Sequence, residues 1–119
     1  MHTELQPASS HSSRTSRIRE LNDTFRRTFV GGTIMITPGI EALLPDARAR
    51  LLRQVRQFDD FEIGGDPYGE HDFGAIEIGG TRFFWKIDYY NRTLDGGSED
   101  PADPAKTTRV LTIMLASEY

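Results

Sequence analysis

Apolar residues recur at helical spacing in two segments of the chain. The apolar side chains of the first segment follow one another at steps of three and four residues: Ile18, Leu21, Phe25 and Phe29. This spacing predicts a helix from Ser16 with its arginines opposite the apolar face, and Gly31-Gly32 is expected to end it. A second helix is predicted over residues 45–58, because its apolar residues repeat in the same way and Pro45 suits a first helical turn.

Strand-like alternation is clearest between residues 73 and 90, on either side of Gly79-Gly80. Two glycines supply the backbone conformations that a two-residue hairpin turn requires. This turn fixes a register in which Glu77 faces Arg82 as an opposite-charge pair across the two strands. The same register places an almost purely apolar set on one face, which we expect to be buried under the helices: Ile76, Ile78, Phe83, Trp85, Ile87 and Tyr89.

Two further strands complete the predicted fold. Residues 33–37 form a short run rich in β-branched side chains, and residues 110–115 are apolar on both faces, which is typical of a central strand. Two helices and about four mostly antiparallel strands predict an α+β domain with both helices packed on one face of the sheet. Residues 1–15 are rich in Ser, Thr and His and are predicted to form a disordered tail, so that a single domain spans residues 16–119.

Composition narrows the classes of function. With 119 residues, 37% hydrophobic and 27% charged, the chain is predicted to be one soluble globular domain. The lack of cysteine excludes a thiolate nucleophile and a cysteine zinc site. A net charge of -4 disfavours nucleic acid as a direct ligand, since phosphate binding calls for a basic surface. No apolar run is long enough to span a membrane or to act as a leader, so we expect a cytoplasmic protein.

The polar face of the hairpin holds the candidate chemistry. Extending the register backwards places His71 opposite Asp88, an arrangement in which a carboxylate orients an imidazole and raises its basicity. Lys86 lies nearby on the same face, where an ammonium group can stabilise a developing negative charge. His71, Asp88 and Lys86 are therefore the candidate catalytic residues, although no nucleophile or oxyanion motif accompanies them.

Two other interpretations of these residues stay open. His71 and Asp88 can instead form a structural cross-strand pair that fixes the open end of the hairpin. A metal site built from His71 with Glu70, Asp72 or Asp88 is the third alternative. Strand alternation disfavours the metal site, because it sends Asp72 to the opposite face from His71. We therefore expect no metal, and we expect no cofactor because no phosphate-binding loop spacing is present.

A second set of residues suits binding to another protein. Aromatic and charged side chains are predicted to share the outer face of the hairpin: Phe84, Lys86 and Tyr90. The long connection before the last strand is acidic, and its carboxylates are suited to a basic partner: Glu99, Asp100 and Asp103. These six are the predicted partner-binding residues.

Several segments of the chain resemble the uncharacterised bacterial family DUF3768, over about residues 18–119. The resemblance rests on six segments: RELNDTFRRTF (19–29), FDDF (58–61), DPYGEHDFGAIE (66–77), FFWKIDYY (83–90), DPADP (100–104) and TRVLTIMLASEY (108–119). It implies a setting on plasmids and other mobile elements, and it carries over no catalytic residue. We therefore expect a small cytoplasmic interaction protein that inhibits a host defence complex, of the anti-CRISPR or antirestriction type. The partner would be a host or mobile-element protein, and the alternative is a hydrolase or ribonuclease-like toxin that uses His71 and Asp88.

Overall fold

The computed structural model describes residues 6–61 and 65–119. Within these two ranges, three helices and four strands follow one another, with a 3-10 turn at the end: α1 (Gln6–Thr28), β1 (Gly32–Ile36), α2 (Pro38–Glu41), α3 (Pro45–Arg56), β2 (Phe73–Ile78), β3 (Thr81–Tyr90), β4 (Thr108–Leu115) and the turn Ala116–Glu118. The two long helices and the four-stranded sheet confirm the predicted α+β class. The short helix α2 was not predicted.

The four strands form one sheet in the order β1-β4-β3-β2. β2 and β4 both pair with β3 in antiparallel orientation, whereas β1 pairs with β4 in parallel orientation. The sheet is therefore mixed, but mostly antiparallel as predicted. β4 is a central strand, and it buries residues on both of its faces: Leu111, Ile113 and Met114.

The hairpin register follows the prediction. Glu77 faces Arg82 and Ile76 faces Phe83, while Gly79 and Gly80 adopt the positive φ angles of 58° and 85° that the tight turn requires. The predicted apolar face lies against α1 and α3, where Phe83, Trp85 and Ile87 are buried beside core residues of the helices. The alternation of apolar and polar residues along β2 and β3 therefore predicted correctly which face of the hairpin is buried.

Gly74 allows the closest packing in this core. It pairs with Trp85 across the hairpin. A Cβ atom at Gly74 would lie 2.6 Å from Trp85 Cε2 and 2.8 Å from Phe58 Cζ, well inside van der Waals contact. Only glycine leaves room for the indole ring to lie over the backbone of β2.

Helix α1 differs from the prediction at both ends. It begins at Gln6, so residues 6–15 of the predicted tail continue the helix, while residues 1–5 lie outside the described residues. In this extension Arg14 Nη2 lies 3.0 Å from Asp100 Oδ1 in the loop between β3 and β4. The helix ends at Thr28, because Phe29 rather than a glycine takes the positive φ angle of 60° that follows it. Neither this helix nor another described helix is long and apolar enough to cross a membrane.

Candidate functional site

The structure separates the residues of the predicted acid–base site. β2 begins at Phe73, and the chain turns at His71 with a φ angle of 55°, so the hairpin register does not extend back to the histidine. The His71 imidazole lies on the helix side of the sheet, with Nδ1 2.9 Å from Asp23 Oδ1 of α1. Asp88 alternates with the core residues of β3 and faces the other way, where Oδ2 accepts a hydrogen bond of 2.8 Å from Lys86 Nζ. The predicted pair of His71 and Asp88 is therefore not formed, and that prediction was wrong.

Both ring nitrogens of His71 face carboxylates. Nδ1 contacts Asp23, and Nε2 lies 3.5 Å from Asp66 Oδ2, while the backbone N–H of His71 donates to Asp66 Oδ1 at 3.1 Å. The ring also stacks on Phe61, with centroids 3.7 Å apart and planes 4° from parallel. The hydrogen bond to Asp23 and the stacking on Phe61 hold His71, and with it the loop before β2, on α1. Among residues 6–61 and 65–119, no group of three or more histidine and carboxylate side chains could hold a metal ion.

Asn22 is the centre of a buried polar network on the same side of the sheet. Its side chain is fully buried, and its Nδ2 donates to the Tyr89 hydroxyl at 2.8 Å and to the Glu70 carbonyl at 2.9 Å. Its Oδ1 accepts a hydrogen bond of 2.7 Å from Arg109 Nε, and the Tyr89 hydroxyl in turn donates to Glu70 Oε1 at 2.7 Å. Burial strongly raises the pKa of Tyr89, so the phenol stays protonated and remains a donor.

Arg26 is the centre of a second buried set of hydrogen bonds, beside that of Asn22. Its Nη1 donates to Asp23 Oδ1 at 3.0 Å and its Nη2 donates to the Phe58 carbonyl at 2.9 Å. The guanidinium carbon lies 5.1 Å from the centroid of the Trp85 ring. Burial lowers the pKa of Arg26, although the contact with Asp23 opposes that shift. The prediction that the arginines of this helix lie opposite its apolar face is therefore wrong for Arg26.

The sequence contains a signal for these missed residues. Asn22 lies four residues after Ile18 and three before Phe25, in the middle of the apolar stripe, and Arg26 follows four residues later. Arg109 likewise alternates with Leu111 in β4, so strand periodicity places it on the core face. A polar residue at a core position of a helix or strand indicates a buried hydrogen-bonding network, because burial without partners would be costly.

The outer face of the sheet carries three of the six residues predicted to bind a partner. We call this surface the open face, because no helix within the described residues covers it: Phe73, Phe84, Lys86, Asp88, Tyr90 and Tyr119. The ring centroids of Phe73 and Phe84 lie 5.1 Å apart, and Tyr119 contacts the Phe84 ring edge-on at 5.5 Å. The hydrogen bond from Lys86 to Asp88 raises the pKa of Lys86, so the ion pair is a fixed polar feature beside these rings.

The acidic residues of the β3–β4 loop have a more local role. Asp100 Oδ1 accepts a hydrogen bond from the backbone N–H of Ala102 at 3.2 Å, and Asp103 Oδ1 accepts one from Ala105 at 2.9 Å. Glu99 is mostly exposed, and its Oε1 lies 3.9 Å from Lys106 Nζ. Asp100 and Asp103 therefore stabilise the turns of their own loop, which is the usual structural use of aspartate in such positions. Within the described residues, none of the three is hydrogen-bonded to the open face.

The fold and these surfaces define a small α+β domain whose four-stranded sheet has one helix-covered face and one open face. The chain belongs to the family DUF3768, described as a protein of unknown function, whose model matches residues 36–118. The match begins at the last residue of β1, so the segment Arg19–Phe29, which contributed to the resemblance, lies outside it. Neither the search of curated proteins nor the search of solved structures found a match.

Proposed function

We propose that this protein acts by binding another protein through the open face of its sheet. The observation that carries the proposal is the uncovered aromatic cluster on that face. Tyr119 is 74% exposed and Tyr90 is 37% exposed, and Tyr119 packs on the Phe84 ring. Tyrosine is among the side chains that contribute most binding energy to protein interfaces, because it buries a large apolar ring and keeps a polar end.

The ion pair on the open face supports the same proposal. Lys86 and Asp88 are each about one-third exposed, at 35% and 36%, and they already neutralise one another at 2.8 Å. A partner that covers the open face would therefore not leave a single unpaired charge buried. The pair would also favour one orientation of the partner, since a polar feature among apolar rings adds specificity.

The partner we propose is a host defence complex, which the protein would inhibit on behalf of a mobile element. Its small size and its net charge of -4 support this partner, because the nucleases of such complexes bind DNA or RNA through basic surfaces. The plasmid and mobile-element setting that the family resemblance implies is the second support.

The proposal is tested with a matched pair of tyrosine variants. Tyr119 on the open face is 74% exposed, and Tyr68 in the loop before β2 is 78% exposed, so the two side chains differ in position but not in exposure. The purified protein and its Tyr119→Ala and Tyr68→Ala variants are titrated against restriction and CRISPR nucleases of the host, with binding and DNA cleavage as readouts. We expect Tyr119→Ala to weaken binding at least about tenfold, whereas Tyr68→Ala leaves it unchanged.

Two outcomes would contradict the proposal. A complete panel of host nucleases that neither binds the protein nor loses activity would remove the proposed partner. The second outcome is the one that the hydrolase hypothesis predicts: His71→Ala abolishes the cellular effect while binding to every partner stays intact.

A further inference from the structure

A groove of about 580 Å³ lies on the helix side of the sheet, away from the open face. It runs between α1, the segment before β1 and the residues that precede and begin β4. Charged side chains line one part of it: Arg17, Glu20, Arg92 and Arg109. Apolar side chains form another part of its wall: Leu21, Phe25, Val30 and Pro104. Its volume falls within the range of sites that bind small molecules.

Arg109 gives the groove a rigid cationic floor. The residue is only 3% exposed, and its guanidinium is held by hydrogen bonds from Nε to Asn22 Oδ1 at 2.7 Å and from Nη2 to the Pro101 carbonyl at 2.6 Å. The Tyr89 ring packs on one face of the group, 5.2 Å from its central carbon. The remaining nitrogen, Nη1, makes no hydrogen bond to another described residue, and Arg109 lines the groove. A guanidinium held in place in this way is preorganised to bind an anion.

Arg17 and Arg92 add two loosely held cations at the rim. Arg17 Nη1 lies 4.0 Å from Glu20 Oε1, at the limit of an ion pair, and both side chains are more than half exposed. Arg92 Nη1 makes one long contact of 3.5 Å with the Thr107 carbonyl. Three guanidinium groups against one carboxylate leave about two positive charges in the groove, which match a dianionic phosphate better than a single carboxylate.

We propose that this groove binds the phosphomonoester of a small organic molecule, such as a nucleoside monophosphate. The phosphate accepts hydrogen bonds from Arg109, Arg17 and Arg92, and the organic part lies against the apolar wall formed by Leu21 and Phe25. This site is independent of partner binding at the open face, because it lies on the opposite side of the sheet.

Calorimetric titration of the full chain tests the site. The probes are four nucleoside monophosphates, the corresponding nucleosides and inorganic phosphate, each at low ionic strength. We expect the monophosphates to bind, and we expect Arg17→Gln and Arg92→Gln to weaken their binding about tenfold each, since each change removes a charge-assisted hydrogen bond. Arg82→Gln, at the distant hairpin turn, is the matched control and should leave the affinity unchanged.

A variant that is expected to bind the monophosphates more tightly serves as a further control, because unfolding cannot explain stronger binding. Glu20→Gln removes the one carboxylate that lines the groove among the described residues, so it should strengthen monophosphate binding a few-fold. Nucleosides that bind as tightly as their monophosphates would overturn the role of the phosphate. Inorganic phosphate that binds as tightly as the monophosphates would overturn the role of the apolar wall. Absence of binding at millimolar monophosphate, or equal affinity of Glu20→Gln and wild type, would overturn the site.

Discussion

The polar side chains on the two faces of the sheet differ in burial: those on the helix-covered face are buried, and those on the open face are partly exposed. On the helix-covered face, Asn22 and Arg26 are completely buried and bound to fixed partners in α1, in the loop before β2 and in the sheet. On the open face, Lys86 and Asp88 satisfy one another at the surface and hold no other element in place. The buried groups therefore determine how helix and loop dock on the sheet, because a buried polar atom without its partner is costly. The Lys86–Asp88 pair on the open face, in contrast, is expected to contribute little to stability, because its two groups are about one-third exposed.

Among the variants that test this difference between the two faces, Asn22→Ala is expected to change the free energy of unfolding the most. The change removes the partner of the Arg109 Nε group and one of the two partners of the Tyr89 hydroxyl, and it opens a small cavity at a fully buried position. We expect a loss of about 3 kcal/mol in the free energy of unfolding, measured by urea denaturation. Glu20→Ala, on the exposed side of the same helix, is the control and should cost under about 0.5 kcal/mol. Equal losses in the two variants would refute the special role of the network.

Gly74→Ala tests the packing of the covered face without removing a side-chain hydrogen bond, because the nearest polar atom, Trp85 Nε1, has no partner among the described residues. The added methyl group collides with the Trp85 indole and with the Phe58 ring, and the backbone of β2 is held in register by β3. Overpacking of this kind costs roughly 2 kcal/mol. Gly96→Ala, whose new methyl group would lie 3.5 Å from the nearest Asn91 atom, should have a much smaller effect in the same denaturation experiment. If Gly74→Ala were as stable as wild type, the close approach of the indole would have to be relieved by movement of the tryptophan.

The fold could be predicted largely from the sequence, because local rules determine most of it. The glycine pair set the hairpin turn, and strict alternation then assigned Phe83 and Trp85 to the core. The parallel pairing of β1 with β4 could not be predicted in this way, since it depends on residues about 77 positions apart, such as Gly32 and Arg109. The early start of α1 was also missed, because the apolar periodicity that predicted the helix begins only at Ile18, whereas the helix begins at Gln6.

The candidate site could be predicted less well. Extending the hairpin register to His71 assumed that β2 continued beyond Phe73, whereas the positive φ angle of His71 turns the chain towards α1. The true partner, Asp23, lies 48 residues away, and nothing in the local sequence indicates that contact. The open face was predicted more accurately, because Phe84, Lys86 and Tyr90 follow from alternation along one strand. Tyr119 was missed, since it joins this face through the turn after β4.

Asp88→Asn measures the contribution of the open face to stability. The variant loses the ion pair with Lys86, whose two groups are about one-third exposed at 35% and 36%. Exposed pairs of this kind contribute roughly 0.5 kcal/mol, so we expect a small loss in the free energy of unfolding at pH 7. The loss should shrink further in 1 M salt, because screening weakens a surface pair. A loss as large as that of Asn22→Ala would show that the two faces do not differ as the structure indicates.

The smallest effect has the opposite sign and concerns Asp72, at the point where the loop enters β2. Burial raises the pKa of Asp72, and the nearby carboxylates of Glu70 and Asp66 raise it further. The folded protein therefore binds a proton at this group more tightly than the unfolded chain, whose pKa is near 3.8. The group lowers stability as pH rises from about 3.8 through its raised folded pKa, because over that range folding must bury an increasing negative charge.

Asp72→Asn removes that charge, and we expect the variant to be slightly more stable than wild type at pH 7, by less than about 0.5 kcal/mol. The difference should disappear below pH 3.8, where the wild-type carboxyl is protonated in both states. Asp60→Asn, at an exposed position, is the control and should show no such gain. Urea denaturation between pH 3 and pH 8 distinguishes the two. A stabilisation by Asp72→Asn that persisted unchanged at pH 3 would arise from packing or hydrogen bonding of the amide, and the electrostatic account of Asp72 would then be wrong.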